Sequence, residues 1–230
     1  RLIRLQLPSP VRALDAVLSD ATKLRLVNAH VQSRSEWYND AISAALDDLI
    51  AEHGHCPLAE REFQPFHMLA NSIISQQLST KAAATIKVRV GALVGVPFQT
   101  KKVLSTAPVK LRGAGLSGAK TRYIRELAAH VSDGRLDFEE IVSLNLNDEA
   151  VIEKLVIVPG IGRWTAEMFL LFGLKRLDVL AIGDAGLQRA ARNLYGTKRK
   201  SATLLPRVAE NWRPYRSIAS WYLWRSLEND

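Results

Sequence analysis

The run Leu155-Val156-Ile157-Val158-Pro159-Gly160-Ile161-Gly162-Arg163-Trp164-Thr165-Ala166 decides the fold of this chain. Pro-Gly-x-Gly between two apolar, helically spaced patterns makes a tight hairpin between two helices. The glycines tolerate positive φ and leave backbone N–H groups uncovered. Those groups stand at the start of the next helix, where partial positive charge gathers. The result is a socket for a phosphate oxygen that reads no base sequence. An acid, Asp184 in Ile182-Gly183-Asp184, follows Trp164 by 20 residues. One helix and a loop suffice to return it to the mouth of the hairpin. Backbone grip with an acid nearby points to chemistry on a nucleic acid.

The charge agrees. The 230 residues carry a formal net charge of +8 and a pI near 9.8, which favours a polyanionic partner. Between Arg189 and Arg216 lie Arg189, Arg192, Lys198, Arg199, Lys200, Arg207, Arg213 and Arg216, against Glu210 alone. A solvated helix face normally mixes signs. The one cysteine, Cys56, excludes both an internal disulfide and a four-cysteine iron–sulfur cluster. His53, His55 and Cys56 have no matching ligand pair elsewhere, so they read as a loop after a helix rather than a zinc site. No apolar stretch approaches a membrane span, and no signal peptide is visible. These features predict an intracellular protein of a DNA-bearing compartment, with no membrane partner.

Hydrophobic periodicity predicts a mainly helical chain. Helices are expected over 41–52, from Pro65, over 80–94, and from a Ser117 cap to about 132. Others run from an Asp148 cap to about 158, over 163–172, from Asp184 to 195, and over 202–212 and 215–227. Leu2–Leu7 alternates like a short strand and Val11–Leu18 looks helical.

These motifs resemble the helix–hairpin–helix DNA glycosylases, and within them the bacterial AlkA and yeast Mag alkylbase enzymes. The hairpin carries the resemblance together with Asp178-Val179 leading to Gly183-Asp184. Ile73-Ile74-Ser75-Gln76-Gln77-Leu78-Ser79-x-Lys81-Ala82-Ala83 is a second match. Gly115-Leu116-Ser117-x-x-Lys120-x-x-Tyr123-Ile124 is a third, and Trp212-Arg213-Pro214-Tyr215-Arg216-Ser217 through Trp224 a fourth. The resemblance implies a two-lobed helix–hairpin–helix fold. Residues 65–178 form the central lobe, 36–64 plus 179–230 the other, and 1–35 a short N-terminal extension or domain remnant. It implies a monofunctional enzyme that flips and excises alkylated bases, such as 3-methyladenine and 7-methylguanine, from double-stranded DNA in base excision repair. The enzyme is expected to act as a monomer. A non-catalytic module binding DNA structures through the same hairpin is the competing reading, since fold alone does not fix function.

The resemblance also distributes roles. Asp184 would stabilise the positive charge that develops on the deoxyribose as the N-glycosidic bond breaks; alone, Asp after Gly would read as a helix cap. Bifunctional relatives place a lysine where Trp164 stands, and an indole cannot form a Schiff base. Trp164, Met168 and Trp224 would line the base pocket, where a cationic methylated base suits a π face; Trp164 packed in the core is the alternative. Met168 stands where AlkA has a tyrosine. Gln77 matches the residue that fills the gap left by the flipped base, with Gln76 and Leu78 as competitors on the same turn and a plain polar helix end as the alternative. Ser79 would lie near the minor groove and Ser117 near the opposite strand, although a helix cap explains Ser117 almost as well. Gly160, Gly162 and Arg163 would hold phosphate. The main-chain carbonyls of Val156, Val158 and Ile161 would hold a sodium or potassium ion; no cofactor is otherwise required. The residues do not rank the possible lesions.

Overall fold

The structure, a computed structural model, describes residues 36–60, 64–195 and 203–228. The expected strand at 2–7, the helix at 11–18 and the cations Lys198, Arg199 and Lys200 lie outside the described residues. Every regular element among the described residues is helical, and none is a strand. The chain divides into two compact units, Glu62–Leu174 and the flanking segments up to Arg61 and from Lys175. The second boundary thus falls between Leu174 and Lys175, where the sequence reading places it after residue 178.

The central unit contains α1 (Pro65–Ser75), α2 (Thr80–Val94), α3 (Thr100–Ser105), α4 (Pro108–Gly113), α5 (Gly118–Ser132), α6 (Phe138–Ser143), α7 (Asp148–Val156) and α8 (Arg163–Met168). A π-helical stretch, Phe169–Gly173, continues α8. Helix α5 packs against α1 and α3. Leu69, Ile73, Ile74, Leu111, Ile124, Leu127 and Phe169 form its dry interior. In the flanking unit, α9 (Glu36–His53), α10 (Ala185–Leu194), α11 (Leu204–Ala209) and α12 (Arg216–Arg225) come together, α12 packing on both α9 and α10. Trp212 and Tyr222 are its largest buried side chains. The Tyr222 hydroxyl donates to the Gly54 carbonyl just past the end of α9 (2.7 Å).

Local chemistry sets the helix starts. The side chains of Ser79 and Ser117 accept from the N–H groups of Ala82 and Lys120. Asp137 accepts from both Glu139 and Glu140. The expected cap at Asp148 is corrected by one residue. Asn147 has the extended backbone a cap needs (φ −67°, ψ 166°) and accepts from Ala150 N–H, leaving Asp148 as the first helical residue. The expected helix at 163–172 is α-helical only to Met168. Beyond it the turn widens, with Leu174 N–H reaching Phe169 O (2.9 Å), while Phe169, Leu170 and Leu171 are all buried. Helices α3, α4 and α6 are six residues each, too short to show hydrophobic periodicity.

The cap assignment is testable by chemical denaturation. Asn147→Ala is expected to cost about 1 kcal/mol of stability, the usual loss for an N-cap. Asp148→Ala should cost less, because it forfeits only the charge interaction with the helix end.

Candidate functional site

The hairpin lies within the central unit. Val158 N–H donates to Leu155 O (3.1 Å) and Ile161 N–H to Val158 O (3.0 Å), so the turn closes on itself. Val158 and Ile161 are buried and anchor it, leaving Pro159, Gly162, Arg163 and Trp164 outside. The two glycines are not equivalent. Gly160 has φ +90°, and a Cβ added there would stand 2.4 Å from the Tyr123 ring. Gly162 is the N-cap of α8 at φ −93°, and a Cβ there would meet nothing within 4 Å. Positive φ is therefore required at one of the two glycines, not both.

Arg163 already has partners. Its Nη1 donates to Glu149 Oε2 (3.0 Å) and its Nε to Glu167 Oε1 (3.2 Å), with a further close contact from Nη2 to Glu149 Oε1. These bonds from Arg163 hold the Glu149 carboxyl below its usual range. Glu167 is 8% exposed; sequence reasoning missed it, and the i, i+4 spacing from Arg163 was its signal. Trp164 is 47% exposed, which rules out the core-packing alternative. Met168 is buried, so Trp164 alone of this pair presents an open face.

The Gln76–Ser79 turn joins α1 to α2. Gln76 Nε2 donates to Gly160 O (2.8 Å), so Gln76 is committed to the hairpin. Gln77, at φ +58°, and Leu78, 39% exposed, stand at the tip. Lys120 Nζ donates to Ile74 O (2.7 Å) and Gln76 O (2.5 Å), and burial lowers its pKa. Ser79 and Ser117 are both exposed helix caps.

In the flanking unit Asp184 is the N-cap of α10. Its Oδ1 accepts from Leu187 N–H (2.7 Å) and from Trp224 Nε1 (3.0 Å). The cap alternative therefore holds, and it fixes the carboxylate. The structure gives Trp224 a direct role on Asp184 that the sequence did not show. Gly186 was also missed: a Cβ there would stand 3.0 Å from Asp184 Oδ1 and 3.4 Å from the Trp224 ring. Its place two residues after the acid was the available signal.

Asp178 is consumed structurally. Arg216 grips its carboxylate through Nε (2.6 Å) and Nη2 (3.0 Å), and Arg213 adds Nη1 (2.8 Å). Two cations of the basic run from Arg189 to Arg216 are thereby paired with a carboxylate. Ser217 pins the same loop, accepting from Val179 N–H and donating to Arg176 O. Among the described residues no group of three or more His, Cys, Asp or Glu could hold a metal ion. No described helix is long and apolar enough to cross a membrane.

The Gly160 geometry predicts unequal mutants. Gly160→Ala should lower the thermal midpoint strongly, because it combines a positive φ with a clash against a packed ring. Gly162→Ala should cost under about 1 kcal/mol, the difference between two N-cap residues. Equal losses would contradict the assignment.

Residues 70–214 match the HhH-GPD superfamily of base excision DNA repair proteins. The chain is 34% identical over 194 residues to a DNA-3-methyladenine glycosylase of Saccharomyces cerevisiae, covering 70% of this chain and 66% of that one. The solved structure of Schizosaccharomyces pombe 3-methyladenine DNA glycosylase Mag1, in complex with abasic DNA, superimposes with a TM-score of 0.72 at 25% identity. That alignment covers 90% of this chain and 97% of the other. A DNA-3-methyladenine glycosidase from Bacillus halodurans gives a TM-score of 0.64 at 39% identity, over 79% and 88% of the two chains. With these relatives beside the hairpin and Asp184, the chain belongs to the HhH-GPD superfamily, in its AlkA/Mag-type branch of DNA glycosylases.

Proposed function

We propose that this protein is a monofunctional DNA glycosylase that flips alkylated bases of the 3-methyladenine and 7-methylguanine type out of double-stranded DNA and hydrolyses their N-glycosidic bond. The observation that carries this is the Asp184 carboxylate, fixed at a helix N-terminus by two N–H donors. A cap alone has no use for an indole donor from a second helix, and a passive binding module has no use for a carboxylate held this way. The names of the relatives support the alkylated-purine class.

The chemistry follows from charge. Methylation at N3 or N7 makes the base cationic and weakens its bond to C1′. That bond breaks with its electron pair going to the base, which leaves neutral. Positive charge appears on the sugar, where a fixed carboxylate is worth most. A water molecule forms the new bond to C1′, and its proton passes to Asp184. Trp164 offers its exposed face to the cationic base. No lysine stands at this position, and an indole forms no Schiff base, so the strand stays intact.

The hairpin binds a phosphate through its N–H groups. Its carbonyls suit a sodium or potassium ion, because hard cations take neutral oxygen donors. The Val158 carbonyl accepts one bond from Ile161 N–H and keeps a second lone pair; Val156 and Ile161 would supply the other oxygens. Such a cation would add positive charge beside the phosphate. The protein works as a monomer in a DNA-bearing compartment.

The decisive experiment incubates the protein with methylated duplex DNA and identifies the bases released. Strands should stay intact until alkali is added, and borohydride should trap no adduct. Asp184→Asn keeps the cap's shape but removes the charge, and release should fall at least ~10²-fold, the scale of losing one electrostatic stabiliser. Near-normal turnover by this variant would leave Asp184 as a cap only.

Gly162→Val tests the socket separately, since the fold has room for the side chain and a bound phosphate does not. Circular dichroism should be unchanged. DNA binding should weaken alike for every sequence, and the slope of affinity against salt should flatten. Unchanged binding would remove Gly162 from the interface.

A further inference from the structure

The turn expected to fill the gap left by a flipped base does not stand on its own. Helix α1 ends at Ser75, and the last carbonyls of a helix have no partner within it. Lys120, in the first turn of α5, supplies donors to two carbonyls there, those of Ile74 and Gln76. Its positive charge also complements the negative end of the α1 dipole. The side chain of Gln76 then crosses to the Gly160 carbonyl, 84 residues along the chain. Gly160 itself runs against the ring of Tyr123, three residues after Lys120 and so on the same side of α5. One helix therefore grips both the turn and the hairpin, and Gln76 bolts them together.

The consequence is local. With the Gln76 carbonyl held by Lys120 and its side chain held by the hairpin, the next residue must reverse the chain. Gln77 does so at φ +58°, and its side chain and that of Leu78 are exposed. A non-glycine residue at positive φ is strained and persists where its surroundings over-determine it. Here those surroundings are Lys120 and Gln76.

We propose that Lys120 and Gln76 are positioning residues that set the Gln77–Leu78 tip and couple it to the phosphate-binding hairpin at Gly160, so that gripping the backbone and filling the base gap act as one rigid step. This rests on the glycosylase reading and on the tip acting as the wedge. Neither residue touches the reacting atoms. Their value therefore depends on how hard the base is to extrude.

The test measures single-turnover base release from three substrates carrying the same methylated base: a fully paired duplex, a duplex mispaired at the lesion, and a single strand. Lys120→Met removes the donors and the charge; Gln76→Met removes only the bolt and is the milder change. Each should slow release from the paired duplex by about tenfold or more, the scale of losing a charge-assisted or buried hydrogen bond. The mispaired duplex should be affected less and the single strand least. Lys120→Arg, which keeps charge and donors, should restore most of the paired-duplex rate. Equal slowing on all three substrates, or no slowing by either variant, overturns the proposal. Gln77→Ala and Leu78→Ala, run in parallel, separate the two layers. If either is graded while Lys120→Met and Gln76→Met are not, the positioning role falls alone. If both are flat while the parent protein releases base, the wedge itself falls, and the positioning role with it.

Discussion

At Gly160 the backbone passes so close to the Tyr123 ring that no other residue fits, with a Cβ at 2.4 Å. The approach does more than explain one glycine. It brings the Gly160 carbonyl within reach of Gln76 and presses the hairpin onto α5. It lets the buried pair Val158 and Ile161 seal the turn from within, so that the face carrying Gly162 and Trp164 stays open. A hairpin that binds phosphate through its own N–H groups must not let those groups collapse onto internal acceptors. Packing one side against an aromatic ring holds the other side out.

The arrangement of charge answers a second constraint. Between Glu62 and Glu126 the chain has ten Lys or Arg and no Asp or Glu. Two cations of this stretch, Lys120 and Arg125, take helix-end carbonyls as acceptors. Lys120 takes the carbonyls closing α1. Arg125 Nη1 takes three at the end of α3, from Val103, Leu104 and Thr106 (3.1, 3.2 and 2.9 Å). A carbonyl satisfies the N–H groups without cancelling the charge, so the stretch remains net positive toward a polyanion. Carboxylates do pair with arginines elsewhere, Glu149 and Glu167 with Arg163 and Asp178 with Arg213 and Arg216. There the arginine is spent on the fold. The acid-free stretch is thus a positive footprint beside the charge cluster from Arg189 to Arg216, in which Arg213 and Arg216 are paired with Asp178.

The helical class, the long helices and the hairpin were legible in the sequence because each shows itself within a single segment. Apolar spacing marks α2, and Ser117 announces the cap of α5, whereas the cap at Ser79 was not read from the sequence. The isolated six-residue helices α3, α4 and α6 were not legible, since less than two turns cannot display a period. Neither was the α-to-π change after Met168, as an apolar run such as Phe169-Leu170-Leu171-Phe172 reads the same in both. Among the candidate residues, Trp164 stood out by its place in the hairpin motif and Asp184 by its place after it. What joined them to other residues did not: Trp224 is 40 residues from Asp184, and Gln76 is 84 from Gly160. Such pairings belong to the packing of distant helices, and a single sequence carries no trace of them. The choice among Gln76, Gln77 and Leu78 could only be narrowed by seeing which side chain was already taken.

Asp184 shows why a cap and a catalytic acid need not exclude each other. Both roles were expected to compete for the same oxygens, yet the cap bond from Leu187 and the indole bond from Trp224 both fall on Oδ1. On the proposed function, the carboxylate's main contribution is a negative charge in a constant place, held by donors that need no rearrangement when the sugar becomes cationic. Gly186 keeps the space beside Oδ1 clear, so the indole can approach without pushing the acid aside. A site built this way is strongest where the leaving group already departs readily and the sugar charge is the main barrier. Alkylated purines meet that condition, because the cationic base carries its own driving force.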